Sequence, residues 1–250
     1  MKLLKTRLIL STICLSVFVL QAQVHLVSAK RLVVDDRYDS FPNKAMSQVL
    51  NSYKIRLGAD VSRTIGECAQ YMTVEAPESL LPDFLADQLF LKANSLIPGG
   101  VDFSLLNFGS IRSPLRKGLI TVSDLYKVMP FENELVILEL KGSDVLSVFK
   151  NIARNGGMGV SHVKLEIKGE KINSLLINGK VLQNDQIYRI ATMDYLADGN
   201  SGMYALRKAV KRLNSGLKVR NVYMEGIENL TAAGKKIDIQ PDSRINWISK

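Results

Sequence analysis

Three side chains beside two glycine-bearing loops are the residues of this sequence best placed to do chemistry. Arg112 closes the loop Asn107-Phe108-Gly109-Ser110-Ile111-Arg112, and its planar fork of donors could clamp a phosphate or a carboxylate. Phe131 follows Pro130 just after a short helical segment, and Tyr195 opens the loop YLADGNSGM at 195–203. Two aromatic faces at strand-end loops could sandwich a flat heterocycle, although on periodicity alone such aromatics read first as core.

The missing chemistry is as informative. A hydrolytic two-metal site needs several His and Asp ligands converging on two ions. Beyond residue 29 the chain has one histidine, His162, in a predicted strand and read as structural. A Ser-His-Asp triad would have to use that same histidine, and no G-x-S-x-G elbow presents a serine. The sequence holds no CxxC, GxGxxG or GxxxxGK[ST], and NGGMG at 155–159 reads as a turn.

Those loops need a scaffold. Ala45, Met46, Val49, Leu50 and Tyr53 carry helical spacing over 43–58, with Gly58 as the stop, and a strand is predicted within 60–72. Leu80, Leu81, Phe84, Leu85, Leu89 and Phe90 make one apolar helical stripe, with Asp83 and Asp87 on its other side. A short strand at 101–106 leads into the first loop. Thr121 with Asp124 three residues on predicts a capping box for a helix over 121–127. A strand at 134–140 precedes a helix at 144–154. Further strands are predicted at 161–168, 173–178 and 187–193, with Asn178-Gly179 as a hairpin turn. A helix over 203–213, another over 219–233 and a last strand near 244–247 complete one α+β domain.

The 250 residues are 46% apolar and 23% charged, an ordinary globular mix. Residues 1–29 read as a secretory signal peptide: Lys2, Lys5 and Arg7 precede an apolar run over 8–20, with cleavage after Ala22 or Ala29. An uncleaved anchor is the alternative. Three basic residues and no acids lie in 1–29, so the net charge falls from +9 to +6 on cleavage. That removes Cys14 and leaves Cys68 alone, so no intrachain disulfide is expected and Cys68 reads as a buried small hydrophobe. The remaining 221 residues (250 − 29) suffice for one domain. A modest positive charge suits anions, but no aromatic-interleaved basic stretch points to nucleic acid, and no membrane span is expected after signal removal.

Several motifs in order carry a resemblance. NFGSIR (107–112), GLITVSDLYKVMPF (118–131) and ELVILELKG (134–142) resemble N-G-G-G-I-R, G-x-I-T-x-x-D-L-x-x-x-L-P-F and the following strand of the C-terminal, substrate-binding domain of the secreted 5′-nucleotidase / UDP-sugar hydrolase family. ESLLPDFLAD (78–87) is similar to its E-x-x-x-G-N-x-x-x-D helix start, VLQNDQIYRIATMDYLADGN (181–200) to its D-x-x-Y-x-V-A-x-x-x-F-L-A-x-G-G, and DSRI (242–245) to its terminal G-R-I. The likeness covers about residues 60–248, so the organisation expected is a signal at 1–29, a lead-in and helix at 30–59, and the family domain at 60–250.

The resemblance implies a fold of mixed sheets flanked by helices, and roles for particular residues. Asn107 would contact a nucleotide base, Arg112 a phosphate, and Phe131 and Tyr195 the two faces of the base. The family's ribose-binding aspartate falls on Ser201, with Asp198 as a nearby substitute. The G-N pair of the first helix becomes Pro82-Asp83, and the arginine usual before that helix has no clear counterpart, with Arg63 a distant candidate. Family members add an N-terminal metallophosphatase half with two metal ions, which this sequence does not resemble. The expectation is therefore a secreted, periplasmic nucleotide-binding half of a split 5′-nucleotidase, acting in nucleotide catabolism. It would have no catalytic residue or cofactor of its own, and divalent metals would sit only in a partner metallophosphatase chain. The alternatives are a stand-alone nucleoside or nucleotide-binding module and a degenerate domain kept for protein contacts.

Overall fold

The computed structural model describes Arg31 and residues 43–248, so the signal-peptide reading and nearly all of the lead-in fall outside the described residues. The residues from Tyr53 onward form one compact unit. Helix α1 (Lys44–Ser62) runs through Gly58 instead of stopping there. A glycine inside a helix costs only about 1 kcal/mol relative to alanine, and the Ser62 hydroxyl donates to the Gly58 carbonyl at 2.5 Å, closing the last turn. Everything that follows concerns the unit from Tyr53 onward.

Strand β1 (Thr64–Cys68) pairs antiparallel with β3 (Gly118–Thr121). Helix α2 (Leu80–Leu96) buries Leu81, Phe84, Leu85, Leu89 and Phe90 as the stripe requires, each large apolar side chain contributing about 1.5–3 kcal/mol. Its other side is not the solvated face expected: Asp83 is only 2% exposed. Helix α3 (Val122–Val128) has the predicted capping box, with Thr121 and Asp124 each accepting from the other's backbone N–H. Helix α4 (Gly142–Arg154) buries Val145, Val148, Phe149 and Ile152, and the Phe149 ring lies 5.5 Å from that of Phe103.

The central sheet has five strands in the order β10-β4-β9-β2-β5: β2 is Phe103–Leu106, β4 Glu134–Lys141, β5 Gly159–Ser161, β9 Ile187–Met193 and β10 Lys211–Lys218. A four-stranded sheet runs β11-β6-β7-β8, with β6 Val163–Lys168, β7 Lys171–Ile177, β8 Lys180–Val181 and β11 Ile245–Trp247. The β7–β8 hairpin turns through Asn178 and Gly179, both at positive φ (50° and 74°), as a two-residue I′ turn demands. Helix α5 is Asp194–Ala197, and α6 (Val219–Ala232) packs against β1. That approach is close: a Cβ on Gly66 would stand 2.5 Å from the Ile227 side chain.

The mixed α+β class is as predicted, and two elements differ. The strand expected over 161–168 is broken at His162 (φ 63°), which separates β5 from β6 and sends them into different sheets. The helix expected over 203–213 is a 3₁₀ turn (Tyr204–Lys208) followed by edge strand β10. Its burial is low throughout, so its sequence carries little of the apolar alternation that marks a half-buried strand. Cys68 is buried and unpaired, as expected, and its thiol pKa is raised by burial. No helix among the described residues is long and apolar enough to cross a membrane.

Candidate functional site

Sheet polarity gathers the two loops. β2 and β9 are parallel neighbours, Phe103 beside Ile190 and Ser104 beside Ala191, so the segments leaving their C-terminal ends emerge on one edge of the sheet. β4 runs antiparallel to β9, with Leu135 opposite Met193, so its N-terminal end, and Phe131 just before it, reaches the same edge. β10 finishes there too, Lys218 pairing with Glu134. Connections far apart in sequence therefore meet at one rim because of strand direction.

Two contacts join expected site residues at this rim. The Asn107 side-chain amide donates to the Ser201 hydroxyl at 3.4 Å, joining the two loops. Asn107 Oδ1 is buried with no hydrogen-bond partner, an orphan acceptor of the kind that a ligand donor satisfies. Ser201 takes up a left-handed conformation (φ 55°), and Gly199 before it has φ 91°, with the Arg207 side chain 2.7 Å from where a Cβ would sit. Arg112 lies over Phe131 at 5.7 Å, and its guanidinium also donates to the Gly109 carbonyl at 3.4 Å. Phe131 and Tyr195 remain 37% and 43% exposed, which leaves ring surface free to stack.

Asp198 has a protein partner on one side. Its carboxylate pairs with Arg212 at 2.5 Å, and Tyr195 is tied through its carbonyl to the Asn200 amide at 2.8 Å. Arg63 pairs with Glu228 at 2.5 Å.

Arg220, in the first turn of α6, escaped sequence reading. It is 4% exposed, donates to the carbonyls of Met129 (3.2 Å) and Phe131 (3.1 Å), pairs with Glu132, and lies 3.8 Å over the Tyr126 ring. It clamps the turn that presents Phe131. The only sequence signal was a basic residue in the first turn of a helix, where the dipole disfavours it.

A second polar cluster is assembled from the start of α2 and the C-terminal strand. Arg244 holds Asp87 through two bonds of 2.8 and 2.9 Å and Asp242 at 2.8 Å. Burial works against its cation, but the Asp87 carboxylate more than offsets that and keeps it charged. Burial drives Asp83 the other way: despite Arg244, desolvation and the neighbouring Glu78 carboxyl push its pKa up to about 8. The Ser161 hydroxyl lies between Asp87 (2.6 Å) and His162 Nδ1 (2.9 Å). That order differs from a catalytic triad, where the base lies between nucleophile and carboxylate. The His162 ring is stacked on Phe90 at 3.5 Å and burial lowers its pKa, in keeping with a structural histidine. A hydrolytic two-metal centre does not fit the described residues. The one group of three candidate ligands among them is Glu78, Asp83 and Asp242, which includes no histidine.

A mixed α+β domain with polar, aromatic loops gathered at parallel strand ends is a ligand-binding class of architecture. The family model for the 5′-nucleotidase, C-terminal domain matches residues 59–208, and the chain belongs to that family. It is 32% identical over 143 residues to Protein UshA of Yersinia enterocolitica, covering 55% of this chain and 26% of that protein. Endonuclease YhcR of Bacillus subtilis is 26% identical, over 69% of this chain and 14% of its own length. The chain thus spans well under half of these relatives. Among solved structures, a 5′-nucleotidase precursor from Thermus thermophilus shares the fold with a TM-score of 0.71 and 23% identity, over 84% of this chain and 44% of that one. The NAD nucleotidase of Haemophilus influenzae follows at 0.65 and 16%, over 88% and 46%.

Proposed function

We propose that this chain is the nucleotide-binding half of a split 5′-nucleotidase in nucleotide catabolism. Asn107 receives the base, Phe131 and Tyr195 stack on it, and Arg112 reaches a phosphate. Ser201, with Asp198 beside it in sequence, stands at the sugar position. A separate metallophosphatase chain carries the two metal ions and cleaves the phosphate ester. Holding a nucleotide by parts remote from the reacting bond turns binding into rate by fixing its position. The observation that carries this reading is the junction of the two loops at Asn107 and Ser201, with the orphan Asn107 acceptor on the same rim that presents the exposed Phe131 and Tyr195 rings. The signal-like residues 1–29 support a secreted, periplasmic location.

The test mixes the chain with candidate metallophosphatases and measures metal-dependent AMP hydrolysis. The expected result is hydrolysis that rises only in the mixture, and no gain on mixing overturns the split enzyme. A second reading, a degenerate interaction domain, is favoured by one observation: Arg212 holds Asp198 Oδ1, competing with ribose hydroxyls for the one carboxylate of the second loop. The two separate by thermal unfolding with adenosine or AMP, whose midpoint rises for a working pocket and stays flat for a decayed one.

A further inference from the structure

We propose that the groove at the N-terminal end of α2 binds a hard divalent cation, Ca²⁺, through the carboxylates of Glu78, Asp83 and Asp242. Candidate ligand oxygens of these residues lie within 4.8 Å of one another. They line, or in the case of Asp242 border, a groove of about 390 Å³ that also presents Tyr71, Ser243 and Asn246. The groove shares no residue with the nucleotide rim described above.

Two observations point to a cation beyond the acidic cluster itself. Asp83 is 2% exposed, and its Oδ1 is buried with no hydrogen-bond donor. Glu78 Oε1 is likewise buried and unpartnered, while its Oε2 accepts from the Ile245 N–H at 2.7 Å. Buried carboxylate oxygens without donors are costly; a proton shared between Glu78 and Asp83 relieves that without a metal, and a cation held by both would take its place. Charge balance runs the same way. Arg244 is bound to Asp87 and Asp242, so one buried guanidinium faces four carboxyl groups, Glu78 and Asp83 among them. The exposed Lys164 ammonium donates to the Asp242 backbone carbonyl and lies 4.0 Å from its carboxylate.

The ligand set chooses among cations. Three carboxylates with no nitrogen or sulfur favour Ca²⁺ or Mg²⁺ over zinc. Oxygens on opposite sides of one ion are about 5 Å apart for Ca²⁺ and about 4.2 Å for Mg²⁺. Oxygens within 4.8 Å of one another are close enough to share one ion, and three side-chain carboxylates suit the flexible shell of Ca²⁺ better than Mg²⁺, which dehydrates reluctantly and keeps most of its waters; the groove leaves room for waters to complete the shell.

The experiment titrates the chelator-treated full chain with CaCl₂ and, separately, MgCl₂ near neutral pH, reading binding heat and the unfolding midpoint. The expected result is saturable one-to-one Ca²⁺ binding, with Kd on the order of 10⁻⁴ M and a raised midpoint. Asp83→Asn and Asp242→Asn each weaken it at least about tenfold, whereas Asp185→Asn, in an exposed loop, leaves it unchanged. Asp83→Asn also keeps the size of the buried side chain, so the variant reads ligation with the packing retained. No Ca²⁺ heat or midpoint shift at millimolar concentration overturns the proposal and leaves a proton shared between Glu78 and Asp83 only. An equal response in Asp83→Asn, or equal affinity for Mg²⁺, overturns the assignment. None of these readouts depends on nucleotide binding.

Discussion

The rim that gathers the two loops and the cluster around Arg244 are both polar, yet they are built oppositely. At the rim the contacts are long and open: 3.4 Å between Asn107 and Ser201, 5.7 Å between Arg112 and Phe131. Around Arg244 they are short and centred on a buried guanidinium, with three side-chain bonds between 2.8 and 2.9 Å to Asp87 and to the more exposed Asp242. Exposed groups with slack can adjust to a ligand at little cost in stability. Covered groups with fixed partners hold the chain together, here by tying the last strand to the first long helix of the domain. The comparison teaches that polar residues in this fold divide by burial into those left free to adjust to a ligand and those that fasten.

The sharpest way to break that division is Arg244→Leu. It leaves Asp87 and Asp242 without their cation and removes the bond to the Val160 carbonyl at 2.7 Å. Stripping one partner from a buried ion pair costs about 3–5 kcal/mol. Urea unfolding is expected to show a loss of that size, and a loss under about 1 kcal/mol, the range of exposed pairs, would show that the cluster does not fasten the domain.

Arg220→Met sits between the two regions, since a buried cation there supports a rim residue. Losing its bonds to the Met129 and Phe131 carbonyls is expected to cost about 2–3 kcal/mol. It is also expected to weaken adenosine binding, because the turn that presents Phe131 loosens. Intact stability with lost binding would move Arg220 into the recognising group.

Much of the rim was legible from sequence, and the reason is local. Loop motifs such as NFGSIR and the glycine-bearing segment after β9 are short, and each leaves a strand directly, so motif and position go together. The capping box of α3 was readable for the same reason: Thr121 and Asp124 are three residues apart. The Arg244 cluster was not readable. Asp83 and Asp87 fall opposite the apolar stripe of α2, and helical spacing alone assigns them to water. What buries them is a strand far along the chain, and no local pattern announces it. The break at His162 and the edge strand β10 were missed likewise, since one depends on a single residue at positive φ and the other on pairing with β4.

Arg112→Ala and Phe131→Ala sharpen the comparison from the exposed side. Both are expected to change stability by less than about 0.5 kcal/mol, as exposed positions do. Phe131→Ala is expected to weaken adenosine and AMP alike, by about tenfold for one lost stacking face. Arg112→Ala is expected to weaken AMP and spare adenosine. Calorimetric titration of both ligands with both variants checks the pattern, and equal losses for Arg112→Ala would remove its assignment to phosphate.

The smallest effect sets two aspartates of opposite burial against each other. Asp83, deep in its cluster, is pushed up to about 8 chiefly by desolvation. At Asp124, partial burial also pulls upward, but the Thr121 hydroxyl and N–H and the Lys127 ammonium outweigh it and hold the carboxyl below its usual value. A depressed carboxylate stabilises the fold above its unfolded pKa, about 4, and that stabilisation is lost as pH falls through the lower folded value. Asp124→Ala removes the acceptor for the Thr121 N–H and is expected to cost about 1 kcal/mol near neutral pH. The gap between variant and parent is expected to close as pH drops below about 4, where the parent's carboxyl is protonated and its advantage is gone. Thermal unfolding of the pair across the acid range checks this. A gap that stayed constant with pH would mean that Asp124 acts through packing rather than through its charge.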